Sequence, residues 1–252
     1  MMSTLLINTR PKHRGQAIRQ MTGMPVIDLP LLDIQTLPMT ETKASMMRAW
    51  LDHDYDVLVV TSVESARRAL EYLDKLHGGH HWQSKLPNAP IVAVGLATAK
   101  VLTDRGLSVV LPRVTNNEGM LAMTEIRSLI SGSRVLIWRG AGGRKLLHET
   151  LKARGVQIDV IRWYERFIPM DLMDNFQKNL TIINEKADVF VIISSEMAYQ
   201  AWRRLPHHRQ YHYLALGERL KNIIHAYEPD VMVDELVTLE PTEIYQVIHQ
   251  NF

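Results

Sequence analysis

The residues of this chain best equipped for chemistry are hydroxyls, guanidinium groups and one tyrosine, and most of them follow apolar runs. The most distinctive string is Arg139-Gly-Ala-Gly-Gly-Arg-Lys145, after an apolar run at 135–138 that reads as a strand. Its glycines let the backbone come close to a ligand, and a helical stretch over 146–154 would add N-terminal amides and a positive dipole end. With three cations flanking the turn, the guest this chemistry suits is an anion. The string is not a P-loop, because the terminal GK[ST] is missing. Nor is it a dinucleotide fingerprint, because the glycine spacing differs and no acidic residue is placed for a ribose. It could equally be a tight strand-to-helix turn with Arg139 on its rim.

Two hydroxyl pairs, Thr61-Ser62 and Ser194-Ser195, also stand where apolar runs give way to helical patterns. Thr61 with Glu64 three residues on reads as a capping box, and Ser194 or Ser195 as an N-cap. The same hydroxyls could instead face a ligand, and Thr98, just past Gly95, has the same two readings. Tyr164 lies in an apolar run edged by Arg162, Glu165 and Arg166. Such a tyrosine packs a core or, with its hydroxyl in a polar site and a cation beside it, serves as a general acid. The histidine clusters at 77–81 and 207–212 lack ligand spacing with a partner helix, so no metal is expected. There is no Ser-His-Asp order, no HExxH and no catalytic carboxylate pair. A site of hydroxyls, amides and guanidinium groups suits a polyanion and needs no cofactor.

The elements that must position these groups come in duplicate. Residues 56–70 and 188–202 share an Asp, an aliphatic run, Ser62 or Ser194, then Glu and two Ala at matching offsets. Further pairs are the strands at 5–8 and 135–138, each leading to an Arg (Arg10, Arg139), and the second strands near 25–30 and 156–161. Strands breaking at Gly95 and Gly217, then strands near 108–112 and 230–233, complete the set. Short apolar runs alternating with helical patterns predict βαβ units: an α/β protein of two similar parallel-sheet domains, with a cleft between them as the expected ligand site.

Composition removes other classes. At 252 residues the chain can form two domains with proper cores. A net charge of +2 is too small to argue for nucleic-acid binding. The absence of cysteine excludes disulfides, thiolate catalysis and Cys-based zinc sites. The short apolar run at the N-terminus does not read as a signal peptide, and no apolar run approaches the ~20 residues of a membrane span. A cytoplasmic monomer without a membrane partner is expected.

The ordered set of motifs resembles the uroporphyrinogen-III synthase family. It runs Thr9-Arg10-Pro11, Thr61-Ser62 before a helix with Ala66, Val94-Gly95-x-Ala97-Thr98-Ala99 and Asn117-Glu118-Gly119-Met120-Leu121. It continues with Arg139-Gly-x-Gly-Gly-Arg-x-x-Leu147, Leu151-x-x-Arg154-Gly155, Tyr164-x-Arg166, Ser194 and Ala215-x-Gly217. The family's usual proline after each helix-starting Ser is replaced by Val63 and Ser195, and Glu218-Arg219 stand where many members carry hydroxyls.

The resemblance implies conversion of hydroxymethylbilane, a linear polycarboxylate tetrapyrrole, into uroporphyrinogen III with inversion of ring D and loss of water. It implies Tyr164 as the residue assisting departure of the hydroxyl. Substrate contacts would come from Thr61, Ser62, Thr98, Ser194, Ser195 and Gly217, with Arg10, Arg139 and Gly140. It also implies a discontinuous first domain, residues 1–34 with 168–252, an inserted second domain, 37–163, and a two-strand hinge joining them. A two-domain binding or sensor protein and an α/β transferase are the competing readings.

Overall fold

A computed structural model describes residues 4–142, 145–207 and 209–250. In chain order the elements open with β1 (Thr4–Asn8), α1 (Lys12–Thr22) and β2 (Val26–Asp28). Next come β3 (Asp33–Thr36), α2 (Glu41–Leu51), β4 (Val57–Val60), α3 (Val63–His77), a 3-10 turn (His80–Lys85), β5 (Ile91–Ala93), α4 (Leu96–Thr103) and β6 (Val109–Val110). Then follow α5 (Asn117–Leu121), α6 (Thr124–Arg127), β7 (Arg134–Gly140), α7 (Leu146–Ala153) and β8 (Gln157–Phe167). The last part holds α8 (Leu172–Asn184), β9 (Asp188–Ile193), α9 (Glu196–Trp202), β10 (His212–Leu216), α10 (Glu218–Tyr227), β11 (Met232–Leu236) and α11 (Pro241–Gln250).

The chain divides into two compact units, Met1–Asp33 with Phe167–Phe252, and Ile34–Arg166. The first carries a five-stranded sheet in the order β11-β10-β9-β1-β2, and the second a six-stranded sheet in the order β3-β8-β7-β4-β5-β6. In the first sheet β1 runs parallel to β2 and β9, and β10 to β9 and β11. In the second, β4 runs parallel to β5 and β7, β5 to β6, and β7 to β8. The expected fold class, two parallel α/β sheets, is met. The strands that pair by sequence also hold equivalent sheet positions: β1 with β7, β2 with β8, β9 with β4, β10 with β5, β11 with β6. Their chain order differs, because the first unit begins with the pair that ends the second.

Burial on both faces explains the aliphatic strands. Leu5 and Ile7 of β1 join one buried cluster with Val189, Val191 and Ile193, while Leu6 joins another with Phe190 and Ile192. In β4, Leu58 and Val60 face one cluster and Val57 and Val59 the opposite one. A strand covered by helices on both sides must be apolar at every position, which is why these runs lack polar alternation. Helix α3 buries Ala66, Ala69, Leu70 and Leu73, the spacing of a single helical face. The strand expected near 108–112 shortens to Val109–Val110 at the sheet edge.

Because Ile192 is fully buried in the first unit, Ile192→Ala is expected to cost about 2–5 kcal/mol of stability. Denaturant unfolding measures this; a loss under about 1 kcal/mol would show that this face repacks around the gap.

Candidate active site

In the six-stranded sheet the chain runs outward from β4 through β5 to β6 on one side, and from β7 to β8 on the other. Between β4 and β7 the direction of winding reverses, and parallel α/β sheets bind ligands at the carboxyl ends of strands at such a point. A cavity of about 300 Å³ opens there. Thr61 and Ser62 line it from the end of β4, Arg139 to Gly142 from the end of β7, and Tyr164 and Arg166 from β8. Asn116 and His148 add walls from the starts of α5 and α7.

Ser62 is the N-cap of α3, its Oγ accepting from the Ser65 amide at 3.2 Å. The capping box expected of Thr61 and Glu64 therefore does not form. Thr61 lies one residue too early, and the distance from Ser62 to the third helical position puts Ser65 opposite the cap. Thr61 instead pairs with Trp138, through its amide at 3.0 Å and its hydroxyl at 3.4 Å. Glu64 turns to Arg68 and Arg67.

Tyr164 reaches this cap. Its hydroxyl donates to Ser62 Oγ at 3.2 Å and accepts from Arg166 Nη2 at 3.4 Å, and Ser62 Oγ in turn meets Ser65 Oγ at 2.8 Å. The ring is flanked by two guanidinium groups, with Arg68 Cζ 5.5 Å and Arg166 Cζ 5.4 Å from its centroid. Cations at that range are attracted to an aromatic face. A bulge makes the placement possible. Arg139 lies opposite Arg162, but Gly140 lies opposite Tyr164, so β8 carries one extra residue. Trp163 and Tyr164, although consecutive, thus join the same buried cluster, which strict strand alternation forbids. Trp138 packs edge-on between Trp50 and Trp163, with centroids 5.1 and 6.1 Å apart, in the same buried cluster as Tyr164.

Gly140 is required by space. A Cβ there would lie 2.5 Å from Tyr164 Cζ and 2.9 Å from its hydroxyl. Arg139 Nε donates to the Gly140 carbonyl at 3.2 Å and Nη2 to that of Gly142, which curls the turn around its guanidinium. Burial, and then Arg162, push the Arg139 pKa down, with Tyr164 opposing. A partly desolvated cation of this kind gains by meeting an anion. Gly143 and Arg144 of the glycine-rich string lie outside the described residues.

Five of the ten residues singled out from sequence, Thr61, Ser62, Arg139, Gly140 and Tyr164, thus share one cavity. Thr98 does not join them: it sits buried in the first turn of α4 and is not part of the cavity wall. The remaining four belong to the first unit. Arg10 and Ser194 follow β1 and β9, which flank that sheet's own winding reversal. Arg10 Nη1 donates to the Leu239 carbonyl at 3.0 Å and Nε to Asn8 Oδ1 at 3.2 Å. Burial, and then Arg14, lower its pKa to about 10, with Glu240 partly offsetting them. Ser195, not Ser194, caps α9, accepting from Ala198 N at 3.2 Å. The sequence match of Ser62 with Ser194 is thus one residue out of step with the caps. Gly217 enters α10 at φ 78°, a left-handed conformation that favours glycine, and its amide bonds to Leu236 O at 2.9 Å.

Asn116, His148 and Arg166 line the cavity too, the first two without a distinct sequence motif of their own. The sequence does carry a signal for Arg166, since residues two apart on a strand share a face and it stands two positions after Tyr164. Among the described residues no group of three or more His, Asp or Glu could hold a metal, and no helix is long and apolar enough to cross a membrane.

The family model described as uroporphyrinogen-III synthase HemD matches residues 16–239. The uroporphyrinogen-III synthase of Escherichia coli K12 is 31% identical over 218 residues, covering 83% of each chain. That of Salmonella typhimurium LT2 is 28% identical over 230 residues, covering 86% of this chain and 89% of the relative. Among solved structures, a mutant uroporphyrinogen III synthase from Thermus thermophilus superposes with a TM-score of 0.66 at 16% identity, covering 99% of both chains. The uroporphyrinogen-III synthetase of Helicobacter pylori 26695 gives 0.63 at 15% identity, covering 100% of this chain and 99% of the other. At these identities the two structures speak for the fold.

The Gly140–Tyr164 approach is directly testable. Gly140→Ala is expected to push the Tyr164 ring off Ser62 and to cost about 1–3 kcal/mol through overpacking. A crystal structure of the variant with the Tyr164–Ser62 bond intact would contradict this.

Proposed function

We propose a division of labour among the site residues of a chain that belongs to the uroporphyrinogen-III synthase family. Its activity is that of a cyclising hydro-lyase: hydroxymethylbilane loses water and closes to uroporphyrinogen III with ring D inverted. In our reading Tyr164 gives its proton to the departing hydroxyl, so that water leaves and an electrophilic azafulvene remains. The substituted carbon of ring D attacks it, and the resulting spiro intermediate fragments and recloses in the inverted sense.

The observation that carries this reading is the setting of the Tyr164 hydroxyl. It is held by a helix cap on one side and by a guanidinium N–H donor on the other, at the edge of the cavity. A phenol that gives up its proton leaves a phenolate, and Arg166, as both donor and ring-facing cation, would stabilise that charge together with Arg68. Arg139, Arg166 and the amides at the start of α3 suit the substrate's carboxylates. Ser194, Ser195, Gly217 and Arg10 are proposed as further substrate contacts from the first unit. Without the enzyme the non-inverted isomer forms, so much of the task is holding a flexible chain in one conformer, a gain that comes from orientation. The protein is proposed to act as a cytoplasmic monomer without a cofactor.

The test is incubation with freshly prepared hydroxymethylbilane, oxidation, and chromatographic separation of the porphyrin isomers. Isomer III in excess is expected; isomer I alone, as in buffer, would overturn the activity. Tyr164→Phe is expected to lower kcat by about 10²–10⁴ without unfolding the protein. Full turnover in that variant would remove Tyr164 from the proton transfer.

A further inference from the structure

Arg68 stands outside the cavity wall, yet it touches the residue proposed to do the chemistry. It lies on α3 six residues after Ser62, and its side chain is only 18% exposed. Its Nε donates to Thr36 Oγ1 at 3.1 Å, its Nη1 pairs with the Glu64 carboxylate, and its Cζ lies 5.5 Å from the Tyr164 ring centroid. Ser62, Ser65 and Arg68 fall at three-residue intervals, so they share one side of the helix. A single helix therefore holds Tyr164 at two points, the hydroxyl through its cap and the ring face through a cation two turns further on.

We propose that Arg68, anchored by Glu64 and Thr36, is a positioning residue that keeps the Tyr164 hydroxyl directed at its proton-transfer geometry. The proposal rests on the reading of Tyr164 as the proton donor. The partners explain why the side chain is arginine: a planar fork can serve the Thr36 hydroxyl, the Glu64 carboxylate and an aromatic face together, whereas a lysine ammonium is a single point charge. They also account for an acidic residue so close to a site for a polycarboxylate. Glu64 is paired with Arg68 and lies 3.8 Å from Arg67, so its charge is neutralised locally.

The rival explanation is that Arg68 is a surface ion pair contributing only to stability, and a double-mutant cycle separates the two. Arg68→Gln is expected to lower kcat about 10–100-fold with KM within about twofold, as misplacement of a reacting group does. In the Tyr164→Phe background the same change is expected to lower kcat no further, because the group it positions is gone. Arg68→Lys should recover part of the loss. Glu64→Gln, which releases Arg68 without removing it, serves as a second probe should Arg68→Gln fold poorly, and should show the same dependence on Tyr164. An unchanged kcat in both variants, an effect confined to KM, or losses that add to that of Tyr164→Phe would overturn the positioning role. A fully active Tyr164→Phe would instead overturn the proton-donor reading, whatever Arg68 does.

Discussion

The site depends on the parallel pairing of β4 with β7. Val57 lies opposite Val135 and Val60 opposite Trp138, and the Thr61 amide adds one more rung to the Trp138 carbonyl. This register brings the hydroxyl-bearing turn after β4 level with the Arg-Gly turn after β7. Because the winding direction reverses between these two strands, no crossover helix covers their ends, and a cavity opens where the two turns diverge. Both strands are buried on both faces, so the register is locked by apolar packing. A slip of one residue would turn each aliphatic side chain to the wrong cluster.

On that frame, the geometry around Tyr164 comes from a local irregularity. The bulge opposite Arg139 and Gly140 lets Trp163 and Tyr164 enter the same cluster, with Trp163 packed edge-on against Trp138 and Tyr164 directed at the cap of α3. The missing side chain at Gly140 leaves room for the ring. The outcome is a buried phenol whose hydroxyl both donates and accepts a hydrogen bond, near several cations and beside an open space. Proximity of this kind suits a reaction whose outcome is decided by how a flexible substrate is folded.

Much of the frame was legible in the chain. Aliphatic runs ending at hydroxyls, arginines or glycines marked the strands, and their repetition marked two similar sheets. Motif order and turn chemistry converge on the five candidate residues that share the cavity. Other assignments failed for specific reasons. The cap of α3 fell on Ser62 instead of Thr61, because a hydroxyl's capping role depends on which residue leaves the helical conformation, and several adjacent hydroxyls look alike in sequence. Of the two hydroxyls offered as the cap of α9, Ser195 takes the role, one residue later than the sequence match of Ser194 with Ser62. Thr98 had a cap-like setting after Gly95, yet it sits in the first turn of α4 with its side chain buried.

The sequence by itself determined the architecture: apolar runs too continuous for one-sided sheets, helical patterns between them, and a duplication that sets equivalent strands in each half. It also narrowed the chemical inventory, because the absence of cysteine rules out thiolate chemistry and Cys-based zinc sites. Tertiary structure alone decided which of the remaining groups meet. Ser62 and Tyr164 are separated by 102 positions, and Arg68 meets the Tyr164 ring only through the fold. Periodicity reports which face of an element is buried. Which two elements lie side by side, and where a strand gains an extra residue, are set by packing across the sheet, where sequence distance carries no information.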